Sequence, residues 1–399
     1  MEPLAITGVG VVSPVGIGHD EFFAAQQDVR AAKERAFAND SLVLPRELFP
    51  DARVAETRNF DATKFLGDKG LRNFDRLTKM MIVAGKLALE DAGIKKNGEF
   101  ISLKPEQVGI ISSTAYGSLE AITELNLVAE KEDPRYINPA RFPNTVLNAA
   151  AGYVSIWEDL RAPNVTIVDG NCGALDAILS CETHLAHERA DAFLIGGGEA
   201  LSEPLYRAFR MLGVVCEGDE PWEPGDSHTN GMRLGEGAAY LCVERANEAK
   251  ARGARLRGLL LGYGTAFDAP HSEAVLVHPS IDSVTRAVRA AVKDAGLSPN
   301  DIDAVVASAS GIERFDAAEL MGLSRGLRED VLIASPKSIL GETFGAHGAL
   351  GMACGLAWLE GVAPAPILSG RARDKIEHVV VTTTGYYGNV SAAVLGRAA

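Results

Sequence analysis

The chain lacks the features that mark several classes of protein. None of its five cysteines forms a C-x-x-C pair, so the sequence has neither a redox motif nor a zinc-binding spacing. No apolar run approaches the ~18–20 residues that span a bilayer, and no basic segment precedes an apolar stretch at the N-terminus. The patterns G-x-G-x-x-G and G-x-x-x-x-G-K-S/T are absent as well. We therefore expect a cytoplasmic protein without a membrane segment, a bound metal or a nucleotide cofactor.

Basic residues are fewer than acidic residues in this chain. Lysine and arginine number 39 against 53 acidic residues, which gives a net charge of −14. This balance argues against general nucleic-acid binding, and an acidic protein partner would need a local basic patch. The chain is 47% hydrophobic, contains 41 glycines and has 399 residues. These values favour a compact α/β fold with two domain-sized halves.

One pattern of helix and strand occurs twice. Residues 87–94 and 290–297 each end an amphipathic helix at a glycine. Each is followed by an apolar strand that ends in small residues, at 107–113 and at 301–308. Strands that are apolar on both faces belong in sheets covered by helices. The repeat predicts two similar α/β halves packed against each other.

We place the two halves at residues 1–250 and 251–399. A charged helix and connector near residues 245–258 separates them. Each half carries a glycine-rich strand near its end, at 192–198 and at 379–388. Without a phosphate-binding motif, the glycines of the first of these strands indicate close backbone crossings.

Cys172 has the most informative surroundings in the chain. An apolar run at residues 165–168 meets the turn Gly170-Asn-Cys172-Gly, and a helical pattern follows. A thiol at the start of a helix faces unpaired backbone N–H groups, which favour the thiolate. We therefore expect Cys172 to be an activated nucleophile. The alternative is a small buried hydrophobic residue, which is our interpretation of the remaining cysteines, Cys181, Cys216, Cys242 and Cys354.

A second group of candidate residues lies in the C-terminal half. Ser308 ends a predicted strand, and Asp316 and Glu319 follow on a segment that leads from a loop into a helix. Lys337 and Glu342 lie in a glycine-rich stretch that opens another helix. Asp316 and Glu319 could pair with Lys337 as structural supports. Glu342 could be a helix cap or a functional carboxylate.

These motifs together resemble the β-ketoacyl synthase branch of the thiolase-like superfamily, the elongating condensing enzymes of fatty acid and type II polyketide synthesis. The resemblance covers nearly the whole length and keeps the order of the motifs. It is carried by Cys172 and by residues 6–16, 196–200, 233–238, 251–254, 262–264, 268–271, 308–319, 337–342 and 385–391. It implies the thiolase-like fold, an α/β fold whose duplicated halves form a five-layered α-β-α-β-α core, and it implies a dimer.

The resemblance also implies a site with one cysteine and two histidines. The cysteine takes an acyl chain from the phosphopantetheine arm of a carrier protein, and the histidines help to form and stabilise the malonyl-derived enolate. Cys172 falls on the cysteine, but the histidine positions hold Ser308 and Glu342, with Asp316 and Lys337 in register beside them. Loss of one oxyanion donor typically costs ~10²–10³ in rate, and a carboxylate repels an enolate. We expect condensation by this subunit alone to be impaired.

The implied groove for the pantetheine arm is altered as well. Ser310 and Ile312 replace two threonines of the family, and Glu273 falls where a third is usual. His271 keeps its place along the groove. Tyr386 falls on the glycine-rich gating loop, at a position where the family usually has phenylalanine.

Two interpretations from different classes remain open. The first is a non-condensing subunit that resembles a chain-length factor and partners an intact ketosynthase, although the retained Cys172 counts against it. The second is a Cys172-dependent acyltransferase or acyl-thioester hydrolase with Glu342 as general base. A condensing enzyme with an unusual triad is a third. The implied partners are an acyl carrier protein, which would meet Lys69 and Arg72, and either a ketosynthase subunit in a heterodimer or a second copy in a homodimer.

Overall fold

The computed structural model describes residues 3–38, 40–219, 221–272, 277–371 and 373–398. Its strands are β1 (Leu4–Ser13), β2 (Gly16–Ile17), β3 (Lys95–Lys96), β4 (Glu99–Phe100), β5 (Val108–Ser113), β6 (Asn164–Ile167), β7 (Ala192–Glu199), β8 (Gly237–Arg245), β9 (Gly258–Phe267), β10 (Ala304–Val306), β11 (Leu332–Ala334), β12 (Ile367–Ser369), β13 (His378–Thr384) and β14 (Asn389–Gly396). Its α-helices are α1 (His19–Ala25), α2 (Val29–Ala36), α3 (Thr63–Leu66), α4 (Arg76–Asp91), α5 (Leu119–Lys131), α6 (Ala149–Trp157), α7 (Gly173–Ala186), α8 (Glu203–Met211), α9 (Ala246–Ala251), α10 (Ile281–Asp294), α11 (Glu313–Gly326), α12 (Lys337–Leu340) and α13 (His347–Leu359). Short 3-10 turns lie at Leu71–Asn73, Pro105–Gln107, Pro134–Tyr136, Pro139–Thr145, Pro299–Asp301 and Phe344–Ala346.

The main sheet contains the same arrangement of strands twice. Its order is β12-β11-β10-β13-β14-β9-β1-β8-β7-β5-β6, and β2 pairs with β1. In the N-terminal half, β1, β8 and β7 are antiparallel neighbours, and β7, β5 and β6 are parallel neighbours. In the C-terminal half, β9, β14 and β13 are antiparallel, and β13, β10 and β11 are parallel. The predicted duplication is confirmed.

Helices cover both faces of the two halves and fill the space between them. In the centre, α7 and α13 share one buried apolar cluster with strands of both halves. A second cluster joins α4 and α6 to the outer face of the N-terminal strands. A third joins α10 and α11 to the outer face of the C-terminal strands. The result is the five-layered α-β-α-β-α core of the thiolase-like fold, as the resemblance implied.

The local signals that revealed the repeat mark real element ends. Helices α4 and α10 are followed by Gly93 and Gly296, whose φ angles of 64° and 69° stop a helix without strain. The glycines of β7 lie at close crossings, as predicted. A Cβ at Gly196 would lie 2.1 Å from the carbonyl oxygen of Ala239, and one at Gly197 would lie 2.2 Å from that of Ser113.

Candidate functional site

Cys172 lies at the junction where β6 leads into α7. It is the residue that precedes the first turn of the helix, and its side chain is fully buried. The sulfur lies 3.5 Å from the carbonyl oxygen of Thr383 and 3.7 Å from that of Asn389. The thiol is therefore covered by the end of β13 and the start of β14, which belong to the other half of the molecule.

The surroundings of Cys172 in this structure disfavour the thiolate form. Burial raises its pKa well above the usual value, and the charge of Asp176, one turn along α7, raises it further. Burial also raises the pKa of Asp176, to about 6. Burial and the charge of Asp176 therefore oppose the thiolate that the helix start would favour, and activation of Cys172 stays a prediction.

Ser308, Lys337 and Glu342 form a single buried cluster. Each is at most 2% exposed. The Nζ of Lys337 donates to Oε2 of Glu342 at 2.7 Å and to Oγ of Ser308 at 3.2 Å. The second carboxylate oxygen of Glu342 accepts the backbone N–H of Phe344 at 2.9 Å. Two charges are tolerated at this depth because they pair with each other and their remaining atoms are hydrogen-bonded.

The sheet explains why these residues meet. Ser308 follows β10, Lys337 follows β11, and Thr384 is the last residue of β13. These three strands are parallel neighbours, so their carboxyl ends reach the same edge of the sheet, where ligands of α/β proteins commonly bind. Thr384 completes the cluster, because its backbone N–H donates to Oγ of Ser308 at 3.2 Å.

Asp316 supports the loop that carries Ser308 and does not pair with Lys337. Its carboxylate accepts the backbone N–H groups of Ser310 and Gly311, both at 2.8 Å, and that of Gly225 at 2.7 Å. Burial raises the pKa of Asp316. The predicted pairing with Lys337 is wrong for Asp316, because loop amides occupy both carboxylate oxygens.

Glu319 has a similar role one turn further along α11. Its Oε1 accepts the backbone N–H of Ser308 at 2.8 Å and the hydroxyl of Thr382 at 2.6 Å. Burial raises the pKa of Glu319 to about 7. Its nearest polar contacts are these groups, and Lys337 bonds to Glu342 instead. Glu319 therefore bonds to the Ser308 loop and to β13, and its role as a structural support stays a prediction.

The residues expected along the carrier-arm groove lie in different surroundings, some buried and some exposed. Ser310 is buried beside Asp316. His271 is exposed at the surface, and its ring centroid lies 6.1 Å from that of His278. Tyr386 is directed inward, and its ring centroid lies 5.6 Å from that of Phe315. Glu273 lies outside the described residues.

Four aromatic side chains pack together near Glu342, and the sequence analysis singled out one of them, Tyr386. The ring of Phe344 lies 5.3 Å from Tyr116 and 4.9 Å from Phe209, and Phe209 lies 6.2 Å from Tyr386. Phe344 holds a left-handed backbone with φ of 46°, which is rare for a bulky residue. These side chains come from four distant segments, so no local pattern could reveal the group. The one signal was the glycine-rich stretch around Phe344.

Within the described ranges, no group of three or more His, Cys, Asp or Glu side chains is placed to hold a metal ion. None of the helices described above is long and apolar enough to cross a bilayer.

The duplicated sheet, the paired central helices and a cysteine at the start of one of them define a thiolase-like ketosynthase. The family models agree. That of the β-ketoacyl synthase N-terminal domain matches residues 1–249, and that of the C-terminal domain matches residues 257–369. The chain belongs to the β-ketoacyl synthase family.

Curated relatives and solved structures resemble the chain over most of its length. A 3-oxoacyl-[acyl-carrier-protein] synthase 2 of Vibrio cholerae is 30% identical over 87% of this chain and 83% of that protein. The protein of the same name from Coxiella burnetii is 29% identical over 99% of this chain and 98% of that protein. The crystal structure of a β-ketoacyl synthase from Burkholderia phymatum is 26% identical, with a TM-score of 0.85 over 100% of both chains.

Proposed function

We propose that this chain is a ketosynthase-like subunit of fatty acid or type II polyketide biosynthesis that does not condense acyl units itself. It partners an intact ketosynthase in a heterodimer and helps to shape the acyl tunnel, as a chain-length factor does. The observation that carries the proposal is the buried ion pair between Lys337 and Glu342, in contact with Ser308. Ser308 and Glu342 hold the two positions that the resemblance gives to the enolate-stabilising histidines, and Lys337 bonds to both of them.

The ion pair opposes the chemistry of condensation. Negative charge develops on a thioester oxygen when the malonyl unit loses carbon dioxide, and the site must offer hydrogen-bond donors to that oxygen. Glu342 instead places a carboxylate there, and the charge of Lys337 is neutralised by it at 2.7 Å. Ser308 retains one hydroxyl proton, which is a weak replacement for two imidazole donors.

The state of Cys172 supports the same proposal. Acyl transfer needs a thiolate that a thioester can approach. The sulfur of Cys172 is fully buried under backbone carbonyls, and burial raises its thiol pKa. Both the nucleophile and the charge-stabilising groups of a condensing site are thus weakened in this chain.

Structures that share the fold include proteins of the proposed kind. One is described as the ishigamide ketosynthase/chain length factor, with a TM-score of 0.88 at 23% identity. Another is a type II polyketide acyl-carrier protein in complex with its ketosynthase, with a TM-score of 0.83 at 21% identity. At these identities the likeness concerns the fold alone. For this chain we propose an acyl carrier protein as a partner, with exposed Lys69 and Arg72 as its contacts.

Cys172-dependent transfer or hydrolysis is the second candidate function. It is favoured by the retained position of Cys172 at the start of α7. It requires Glu342 to act as general base near the sulfur. In the structure both oxygens of Glu342 are engaged, one by Lys337 and one by the N–H of Phe344. This arrangement gives the second candidate less support than the first.

The decisive experiment is intact-protein mass spectrometry after incubation with acyl-loaded carrier protein, with Cys172→Ala as control. We expect no acyl adduct on this chain alone. In a mixture with an intact ketosynthase, we expect the adduct on that partner and a one-to-one complex in size-exclusion chromatography. An adduct on the wild-type chain that Cys172→Ala abolishes would overturn the proposal and favour the second candidate. Release of that adduct by water or amines would then identify the reaction.

A further inference from the structure

Asp176 lies one helical turn after Cys172. Cys172 precedes the first residue of α7 and has helical backbone angles, with φ of −83° and ψ of −25°, and Asp176 belongs to the first turn of the helix. Residues four apart on a helix lie on the same face, with their Cβ atoms about 5–6 Å apart. The carboxyl group of Asp176 is therefore a close neighbour of the thiol of Cys172.

Two hydroxyl groups from the C-terminal half hold that carboxyl group in place. Tyr263, on β9, donates to Oδ1 of Asp176 at 2.6 Å, and Ser391, on β14, donates to the same oxygen at 2.5 Å. The Ser391 hydroxyl also lies 3.2 Å from that of Thr265. Hydrogen bonds to an ionised carboxylate are stronger than those between neutral groups. The carboxylate is thus fixed by two strands that belong to the other half of the molecule.

A carboxylate at this place works against the start of the helix. The unpaired N–H groups of a first turn stabilise an anion, and they would favour a thiolate at Cys172. Asp176 already places a negative charge in that turn. The charges that act most strongly on the sulfur are those of Asp176 and then Asp169, and both are negative. A thiolate would therefore form beside a carboxylate that cannot turn away from it.

The proton of Asp176 is exchanged in an accessible pH range. Burial raises the pKa of Asp176 to about 6, although the hydroxyls of Ser391 and Tyr263 lower it, and Asp169 adds to the rise. Tyr263 keeps its own proton, because burial and the charge of Asp176 raise the pKa of its phenol. Asp176 is therefore ionised at neutral pH and becomes neutral in mild acid.

We propose that the carboxylate of Asp176, fixed by Tyr263 and Ser391, opposes ionisation of Cys172 and so keeps the thiol from acting as a nucleophile. Asp176 acts through Cys172 and needs no contact with an acyl group. The inference deepens the proposed function, on which its biological meaning rests, because it names the group that holds the retained cysteine inactive in a subunit that does not condense.

The test is the rate at which methyl methanethiosulfonate modifies Cys172 between pH 4.5 and pH 8.5, followed by peptide mass spectrometry. The reagent reacts with the thiolate, whose population rises tenfold per pH unit below the thiol pKa. In the wild type we expect this rise to flatten near pH 6, where Asp176 ionises and opposes the thiolate. In Asp176→Asn, which carries no charge, we expect no flattening.

The rate ratio of Asp176→Asn to the wild type gives the size of the effect. A charge at this spacing changes a thiol pKa by about one to two units. A thiolate of lower pKa is also a weaker nucleophile, which cancels part of the gain. We therefore expect a ratio of about 1 at pH 4.5 and of about 3–15 above pH 7.

Two further variants separate the charge from its surroundings. Ser391→Ala keeps the carboxylate but removes a hydroxyl that lowers its pKa, so we expect the flattening to move above pH 6. Glu182→Gln, more than two turns further along α7, is the matched control and should give the wild-type profile. The buried thiols of Cys181, Cys242 and Cys354 report global loosening in the same digests.

Three results would overturn the inference. The first is a wild-type profile in Asp176→Asn. The second is a ratio that is the same at pH 4.5 and at pH 8, because easier access to the sulfur multiplies the rate equally at every pH. The third is a parallel acceleration at Cys181, Cys242 and Cys354, which would make Asp176 a support of the whole fold. The acyl-carrier experiment asks whether the wild-type chain is acylated at all, so failure of the proposed function and failure of this inference are distinguishable.

Discussion

At the scale of single residues, the site is governed by how deeply its polar groups are buried. The position of Cys172 at a helix start can be read from the sequence, because a strand, a small-residue turn and a helical pattern meet there. Its protonation state cannot, because it depends on Thr383 and Asn389, more than two hundred residues away, which cover the sulfur. The same holds for Glu342. The sequence reveals that it replaces a histidine, but only the structure reveals that its carboxylate pairs with Lys337 and not with solvent.

The pair of Lys337 and Glu342 gives the first prediction at this scale. Glu342→Gln leaves a buried ammonium without its partner, and Lys337→Met leaves a buried carboxylate. We expect each single change to lower the free energy of unfolding by about 3–5 kcal/mol. The double variant removes both charges, and we expect it to recover much of that loss. Urea unfolding of the four proteins measures the coupling.

Arg30 and Glu34 on α2 supply the control cycle, because both are exposed and the guanidinium lies 3.1 Å from the carboxylate. Exposed pairs of this kind couple by less than about 1 kcal/mol. If the losses at Lys337 and Glu342 simply add in the double variant, the two charges do not stabilise each other and the buried pair is not the feature that defines this site.

At the scale of elements, the sequence predicted which strands end at the site and could not predict what their loops bind. The repeated order of helix, glycine and apolar strand identified β5 and β10, and parallel pairing then brings Ser308, Lys337 and Thr384 to one edge. No pattern in the sequence predicts the hydrogen bond that Glu319 of α11 accepts from the backbone N–H of Ser308. A carboxylate three residues after Asp316 is equally compatible with a surface helix, whereas in the structure Glu319 is buried against the Ser308 loop and Thr382 of β13.

Glu319, on α11, makes the free energy of unfolding depend on pH. Its pKa is raised by burial from 4.5 to about 7, so the folded state holds a proton that the unfolded state releases. A group whose folded-state pKa is raised stabilises the fold below its unfolded value and loses that contribution as pH rises through its folded value. We expect Glu319→Gln, which cannot ionise, to gain stability relative to the wild type between pH 4.5 and pH 8, by up to about 3 kcal/mol.

Denaturant unfolding at intervals across this range measures the difference, and Glu313→Gln on the same helix is the control, because Glu313 is exposed. The expected curve for the control runs parallel to that of the wild type. A Glu319→Gln curve that also runs parallel would show that Glu319 is ionised in both states, contrary to the effect of its burial.

At the scale of the whole molecule, the fold follows from the sequence more fully than the site does. Duplicated halves and a five-layered core required only the period of the apolar residues and the family motifs, and both are confirmed. The division into residues 1–250 and 251–399 stays a prediction. Function is less accessible, because it depends on a few buried groups, such as Cys172 and Glu342, whose surroundings the sequence does not reveal.

The edge of the main sheet gives the last prediction, which concerns the partner. In the described part of the chain, β6 pairs with β5 on one side and ends the sheet on the other. Ile156, Val168 and Leu179, which are 76%, 46% and 53% exposed, come from the segments before β6, after it and in α7. Natural proteins seldom leave a bare edge strand beside exposed apolar side chains, so this region favours a subunit interface.

We expect Val168→Glu to weaken the dimer by at least about tenfold in dissociation constant, because a buried charge without a partner costs more than the 1.4 kcal/mol that tenfold represents. Sedimentation velocity over a dilution series measures this constant for the chain alone and for its mixture with an intact ketosynthase. Met211→Glu, at the exposed end of α8, is the control and should leave the constant unchanged. A shift in the mixture but not in the chain alone would identify the heterodimer as the assembly built on this edge. An unchanged constant in both would place the interface elsewhere on the molecule.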